Sequence, residues 1–295
     1  MIAPRDQWAI HVEVTTHCGG GCSNCTRLIP HLRAERRYYM ELGFFRRAIE
    51  ALAEFPLQGP DRFGRRRVVG IMGGEPLLHP EFAELVEIAC EVIPDRRHRG
   101  LWTGLDWRNH PQRAAVEKLL GPEPRCVTRP QPAGGCGFIN ENHHDGDCFH
   151  QPVLVGVEEL VGPELAAELI EACWVQQHWS SSITPRGFFP CEVAAAMDWL
   201  FEGPGGVPVS PACWRGDIAE YRSLLAPWCG RCGCPVPLPG RRDRERVDDV
   251  SPRNAGRLAA VRSPRLARGR VVRFDTDGWQ PPPEWRPAAY LRSAP

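Results

Sequence analysis

The sequence predicts an α/β protein, with a parallel sheet covered by helices, open or closed into a barrel, followed by a small cysteine-rich C-terminal domain. Three observations predict it. Trp8 to Val14 alternates apolar and polar residues at strand period and runs directly into a first cysteine cluster. Arg67 to Met72 repeats the pattern and ends in Gly73-Gly74-Glu75-Pro76, ahead of an apolar-periodic helix from Glu81 to Ile93. From Phe188 onward the rhythm stops, and the chain becomes cysteine-rich, then proline-rich, then arginine-rich.

Taken in order, the elements are a strand at Trp8 to Val14, a helix at Leu42 to Phe55, a strand at Arg67 to Met72 and a helix at Glu81 to Ile93. A strand at Gly100 to Thr103, a helix at Gln112 to Leu120, a strand at Pro152 to Val157 and a helix at Glu164 to Trp179 continue the rhythm. Between them Gly121 to Gln151 has little periodicity and reads as a long irregular insertion. A boundary near Pro185 divides the chain into residues 1–185, the cysteine-rich unit 186–240 and an Arg/Pro-rich extension 241–295. The prolines and tryptophans around residues 279 to 285 suggest an exposed extended segment.

Composition excludes several classes. Acidic and basic residues balance at 36 each, which argues against a globally basic nucleic-acid binder. The C-terminal extension is basic, with thirteen arginines against seven acids from Gly240, and reads as a solvated tail, the alternative being a site for an acidic partner or nucleic acid. Lys118 is the only lysine, so a lysine Schiff base has almost no candidate. No stretch approaches the roughly 20 apolar residues of a membrane span, and Met1 to His17 lacks the apolar core of an export signal. A cytoplasmic protein without a membrane partner is therefore expected. In a reducing compartment the thirteen cysteines read as ligands or thiols, not bridges.

Cys18-Gly-Gly-Gly-Cys22-Ser-Asn-Cys25 places three thiols on one glycine-rich loop at the end of the first strand. Three thiolates suit a 4Fe-4S cluster, whose usual four ligands would saturate every iron. One iron then stays open to a substrate or cofactor. A zinc site completed by His17 or His31, or unliganded thiols, would also satisfy the spacing. Gly73 to Pro76 ends the second strand, and on a parallel sheet that places it beside the first loop. Its glycines expose backbone, and Glu75 offers an acceptor to a cationic amine.

This pair of motifs resembles the signature of the radical S-adenosylmethionine (SAM) superfamily. The resemblance implies a partial (β/α)6 TIM-type barrel over residues 1–185. It implies that Cys18, Cys22 and Cys25 hold a 4Fe-4S cluster whose open iron is chelated by SAM, and that Gly73, Gly74, Glu75 and Pro76 line the pocket for the methionyl amine. The activity implied is reductive cleavage of SAM and hydrogen abstraction from a small-molecule or peptide substrate. An electron donor such as flavodoxin or ferredoxin would serve it. Asn24 departs from the pattern, since many members carry an aromatic or aliphatic residue there. Leu101 to Gly104 faintly resembles the family's third-strand ending.

Gly187-Phe-Phe-Pro-Cys191 with Cys213, Cys229, Cys232 and Cys234 forms a further constellation. In isolation its Cys-x2-Cys knuckle fits zinc. In this context it is similar to the SPASM or twitch extensions of the superfamily, which implies one auxiliary cluster on Cys191, Cys213, Cys229 and Cys232, with Cys234 as a competing or fifth thiolate. The family's usual glycine before the second ligand falls on Pro208, and no cysteine follows Cys234, so a two-cluster set is not expected. Cys90 and Cys173 lie in apolar helical patterns and read as packed small hydrophobes. Cys126, Cys136 and Cys148, near His143, His144 and His150, receive no role. A non-catalytic iron-sulfur or zinc protein, carrying electrons or binding a partner, is the alternative function.

Overall fold

The computed structural model of the chain describes residues 1–126, 135–141 and 148–282. His143 and His144 lie outside these. The first strand, β1 (Ala9–Thr15), is buried along its whole length, as a central parallel strand must be. Ile10, Val12 and Val14 pack under the helices, while His11 and Glu13 alternate onto the opposite face. Helix α1 (Leu42–Ala51) buries Phe45, Ala48 and Ile49 and returns the chain to β2 (Val68–Gly73). Helix α2 (Phe82–Val92) buries Phe82, Leu85, Val86 and Ala89, and leads to β3 (Arg99–Trp102). Helix α3 (Arg113–Leu120) follows, then β4 (Arg125–Cys126), β5 (Phe138–Asn140) and β6 (Phe149–His150).

Three short helices come next, α4 (Val157–Leu160), α5 (Pro163–Glu171) and α6 (Trp174–His178), ahead of β7 (Ser180–Thr184) and β8 (Gly187–Phe189). Helix α7 (Glu192–Phe201) and helix α8 (Ile218–Cys229) complete this region. An Asp217–Glu220 capping box starts α8, and Pro227 stands in its last turn, two residues before Cys229 ends the helix. The remaining elements are β9 (Arg241–Arg242), β10 (Asp248–Val250), α9 (Pro252–Ala260), α10 (Pro264–Ala267) and β11 (Val271–Arg273).

The large sheet has the order β4-β5-β3-β2-β1-β7-β8. All pairs are parallel except the closing β7–β8 hairpin. One core lies between the sheet and α1 to α3, built on Phe45, Phe55, Phe82 and Trp107. A second joins Leu28, Ile29 and Leu32, just after the cysteine loop, to Met197, Leu200 and Trp228 of the later helices and to Val250 and Leu258 of the C-terminal extension. Among the described residues, no helix is long and apolar enough to cross a membrane.

Several expectations change. Pro152 to Val157 is not a strand: Leu154 makes one isolated bridge to Val250, and neighbouring carbonyls are taken by Gly233 and Ser251. A buried apolar run has no period by which to tell the two apart. Ser180 to Thr184, polar in sequence, is a buried sheet strand instead, and the boundary expected near Pro185 falls inside the β7–β8 turn. The insertion from Gly121 to Gln151 contributes β5 to the sheet. The helix expected over Glu164 to Trp179 is interrupted, with Cys173 outside helical conformation at the start of α6.

Phe45 is fully buried and Leu57 is 74% exposed. Phe45→Ala is expected to cost about 3–5 kcal/mol in urea denaturation, while Leu57→Ala stays within about 0.5 kcal/mol of wild type.

Candidate active site

The ends of β1 and β2 meet through main chain. Register slips between Glu13 and Thr15, where a bulge turns the chain as it leaves the sheet, and Thr15 pairs with Gly73. The Gly74 N–H donates to the Thr15 carbonyl at 2.6 Å, and the Glu75 N–H to the His17 carbonyl at 2.7 Å. A Cβ on Gly73 would stand 2.4 Å from the Thr15 oxygen, and one on Gly74 the same distance from the His17 oxygen. Only glycine permits that approach. Pro76 then opens a short turn through Leu78, its missing N–H costing nothing at that position.

Glu75 is held from inside the protein. Its carboxylate turns inward and accepts from the Thr103 hydroxyl at 2.7 Å, the Gly104 N–H at 2.8 Å and the Leu77 N–H at 3.1 Å. Burial pushes its pKa up, and these three donors pull it back. With much of its acceptor capacity filled, Glu75 ties the end of β3 to the turn after β2.

On the loop, Cys18, Cys22 and Cys25 are free, half-buried thiols. A Cβ on Gly20 would lie 3.2 Å from the Cys22 sulfur and 3.5 Å from that of Cys18, so both sulfurs turn toward one side of the loop. The Gly20 N–H donates to the Cys18 sulfur at 3.3 Å. Burial, followed by the neighbouring thiols, pushes Cys22 up to about 12 and Cys25 up to about 11. Deprotonated together, the three sulfurs would repel one another, and a cation among them would offset that repulsion. His31 is not available to complete a zinc site: one ring nitrogen faces Asp248 at 2.7 Å and the other Ser263 at 2.8 Å. His17 stacks on Tyr39, ring centroids 4.0 Å apart.

The C-terminal extension is no solvated tail over its described part, since it clamps this loop. Asn24 sits in the left-handed region at φ 47, which asparagine tolerates. Its main-chain N–H donates to Asp248, its side-chain NH2 to Asp249 and the His150 carbonyl, and its side-chain Oδ1 accepts from the Asp249 N–H. Ser23 pairs with the Asp243 carbonyl, His150 with the Ser23 carbonyl, and Arg265 with the Gly21 carbonyl. Asn24, a departure in sequence, is thus the joint between loop and extension. Arginine count alone hid this, because the buried acids that hold the segment are few.

The second cysteine set differs from the one expected. Cys173, Cys191, Cys229, Cys232 and Cys234 line one small apolar cavity of about 20 Å³. Cys173 and Cys191 cap α6 and α7, and Cys229 to Cys234 is the knuckle after α8. Burial raises Cys173 to about 12 and raises Cys191 and Cys229 too, with neighbouring cysteines adding to each. Cys232 is lowered by the hydrogen bond it shares with Cys234. Cys213 is elsewhere: it belongs to the first core beside Trp214, and its carbonyl accepts from Tyr221 at 2.8 Å. Sequence spacing favoured Cys213, while the helical pattern around Cys173 concealed a thiol brought in by the break before α6. Among the described residues, no group of three or more His, Cys, Asp or Glu side chains gathers closely enough to hold a single metal ion.

Sequence reading also passed over a buried polar network on the inner face of the sheet. Glu13 accepts from Arg27 and Ser182, and Glu192 from Ser180. His11 lies against Met72 and Trp102; burial, with the Arg27 charge behind it, holds its pKa down to about 3, so the ring is neutral. The signal was the alternation of His11 and Glu13 between apolar residues of a doubly buried strand.

No protein-family model and no curated protein sequence matches the chain. Among solved structures it is similar to BtrN in complex with AdoMet and 2-DOIA, at 16% identity and a TM-score of 0.46, over 77% of this chain and 92% of that one. It is also similar to selenomethionine BtrN in an open conformation, at 16% identity and a TM-score of 0.43, over 80% and 95%. At such distance the likeness says nothing of the site, which rests on the residues above.

Gly74→Ala is expected to cost about 1–3 kcal/mol, the range for forcing atoms into a packed site, and to reduce iron uptake on anaerobic reconstitution. Gly19, with nothing within 4 Å of its would-be Cβ, is the control. Gly19→Ala should match wild type in both melting and iron content.

Proposed function

We propose that the chain is a radical SAM enzyme acting on a small-molecule or peptide substrate. The observation that carries this reading is the main-chain pairing of the Gly73–Gly74 turn with the start of the Cys18–Cys25 loop. It joins a three-thiol loop and a glycine turn into one corner at the C-terminal ends of β1, β2 and β3, the edge where parallel sheets place their sites. The donor chemistry fits the group: three thiols, His31 held by Asp248 and Ser263 and so not available for a zinc site, and one iron position left for SAM.

Cys18, Cys22 and Cys25 hold the cluster, and Gly73, Gly74 and Pro76 line the SAM amine pocket with backbone while Glu75 fixes their position. When bound, the cluster and SAM supply a one-electron cleavage that yields a 5′-deoxyadenosyl radical able to abstract hydrogen. The partial (β/α)6 barrel of this reading has the Glu13, Arg27 and His11 network on its inner face. A SPASM or twitch-like unit brings the second set, from which four of Cys173, Cys191, Cys229, Cys232 and Cys234 hold one auxiliary 4Fe-4S cluster that accepts an electron or helps to bind substrate. All-sulfur donors in an apolar setting suit iron-sulfur chemistry. The electron donor is a flavodoxin or ferredoxin, and the setting cytoplasmic.

Anaerobically reconstituted protein given SAM and dithionite should release 5′-deoxyadenosine, and the Cys18, Cys22, Cys25 triple alanine variant should release none. That variant should keep about four irons and four sulfides per chain, the content of one 4Fe-4S cluster. Adding Cys173→Ala and Cys191→Ala together, which leaves three of the five thiols, should remove them, whereas adding Cys213→Ala should not. A wild-type chain that holds iron but never cleaves SAM would be an electron carrier, not an enzyme of this class.

A further inference from the structure

An open cleft of about 310 Å³ lies against the cysteine loop at Cys18, Gly19 and Gly21, and five arginines line it: Arg37, Arg246, Arg265, Arg268 and Arg270. Arg37 follows the loop in sequence; the other four come from the C-terminal extension that clamps it. Among the described residues, Arg37, Arg246, Arg268 and Arg270 pair with no carboxylate. Arg265 is 4% exposed. Its Nη1 donates to the Gly21 carbonyl at 3.1 Å, and its Nε stands 2.9 Å from Asp248 without the alignment of a hydrogen bond. Its Nη2 is buried with no partner, as is the Nε of Arg37. Buried donors left open are costly unless something completes them.

Part of this charge has an answer nearby. Asp248 stands 2.9 Å from the Arg265 Nε and offsets that one. Arg246, Arg268 and Arg270 have no such counterpart, yet the fold holds them around one concavity against their mutual repulsion. Guanidinium forks arranged around a cleft match the several oxygens of a phosphoryl group, which a single carboxylate could not satisfy. A concave cleft suits a small anion better than the flat contact of a protein partner.

We propose that this cleft binds a phosphoryl group, and that the substrate of the enzyme is a phosphorylated small molecule seated beside the cysteine loop. The anion site stands on geometry alone; calling its occupant the substrate rests on the function proposed above.

The test uses the reconstituted full chain and inorganic pyrophosphate as probe, titrated by calorimetry. Arg268→Gln/Arg270→Gln is compared with Arg113→Gln/Arg253→Gln, an equal charge change outside the cleft. Arg265 is left in place because it also secures Gly21. Wild type and control should bind saturably, and the cleft variant at least tenfold more weakly, with equal iron per chain in all three. No binding by wild type, or equal binding by the cleft variant, overturns the site. Full competition by SAM gives the cleft to the SAM carboxylate and overturns it too. Unchanged pyrophosphate affinity with slower reduction by flavodoxin assigns the arginines to an acidic protein and likewise overturns it. Pyrophosphate binding by a chain that never yields 5′-deoxyadenosine sinks the enzyme reading and leaves the anion site standing.

Discussion

The hydrogen bonds from the Gly74 and Glu75 N–H groups to the Thr15 and His17 carbonyls set the distance between two loops that otherwise leave separate strands. They form only because neither glycine carries a Cβ, which would strike those same carbonyl oxygens. The bulge between Glu13 and Thr15 turns β1 toward its neighbour just before the cysteines begin. Glu75 then reaches the other way and takes Thr103 and Gly104 into its carboxylate, so three adjacent strand ends are tied at one corner. A buried carboxylate with its donors satisfied holds position well, and the backbone around it inherits that rigidity.

The far side of the cysteine loop has an equally specific constraint. Asn24 adopts a backbone conformation few residues accept and spends its side chain on the Asp248–Asp249 pair. His31, Ser263 and Arg265 close the same contact around Asp248. Loop and C-terminal extension are thereby one packed unit, and the arginines that the extension carries are delivered to the edge of the loop. The second thiol set uses the same economy of helix ends: α6, α7 and α8 each place a cysteine at a terminus facing one cavity.

Much of this was legible in the sequence. The alternation of Trp8 to Val14 and the Gly-Gly pair after Arg67 to Met72 gave strand ends at the correct edge, because local period and turn chemistry agree there. What was hidden depends on partners distant in the chain. Ser180 to Thr184 is a strand despite its hydroxyls, since Gln7, Glu13 and Glu192 accept from them inside the protein. Cys213 and Cys173 exchange places because spacing records order along the chain, whereas the break between α5 and α6 decides which thiol faces the cavity. Asn24, a departure from the family pattern, and Glu75 are both anchored by groups distant in the chain that no local pattern could reveal.

If loop and glycine turn form one site with an iron open to SAM, the cluster must sense SAM directly. Electron paramagnetic resonance on the dithionite-reduced Cys173→Ala/Cys191→Ala variant, which on this account holds only the loop cluster, tests it directly. Adding SAM should shift the g values and line shape of the cluster signal, as a new ligand on one iron requires. A spectrum identical with and without SAM would contradict the claim.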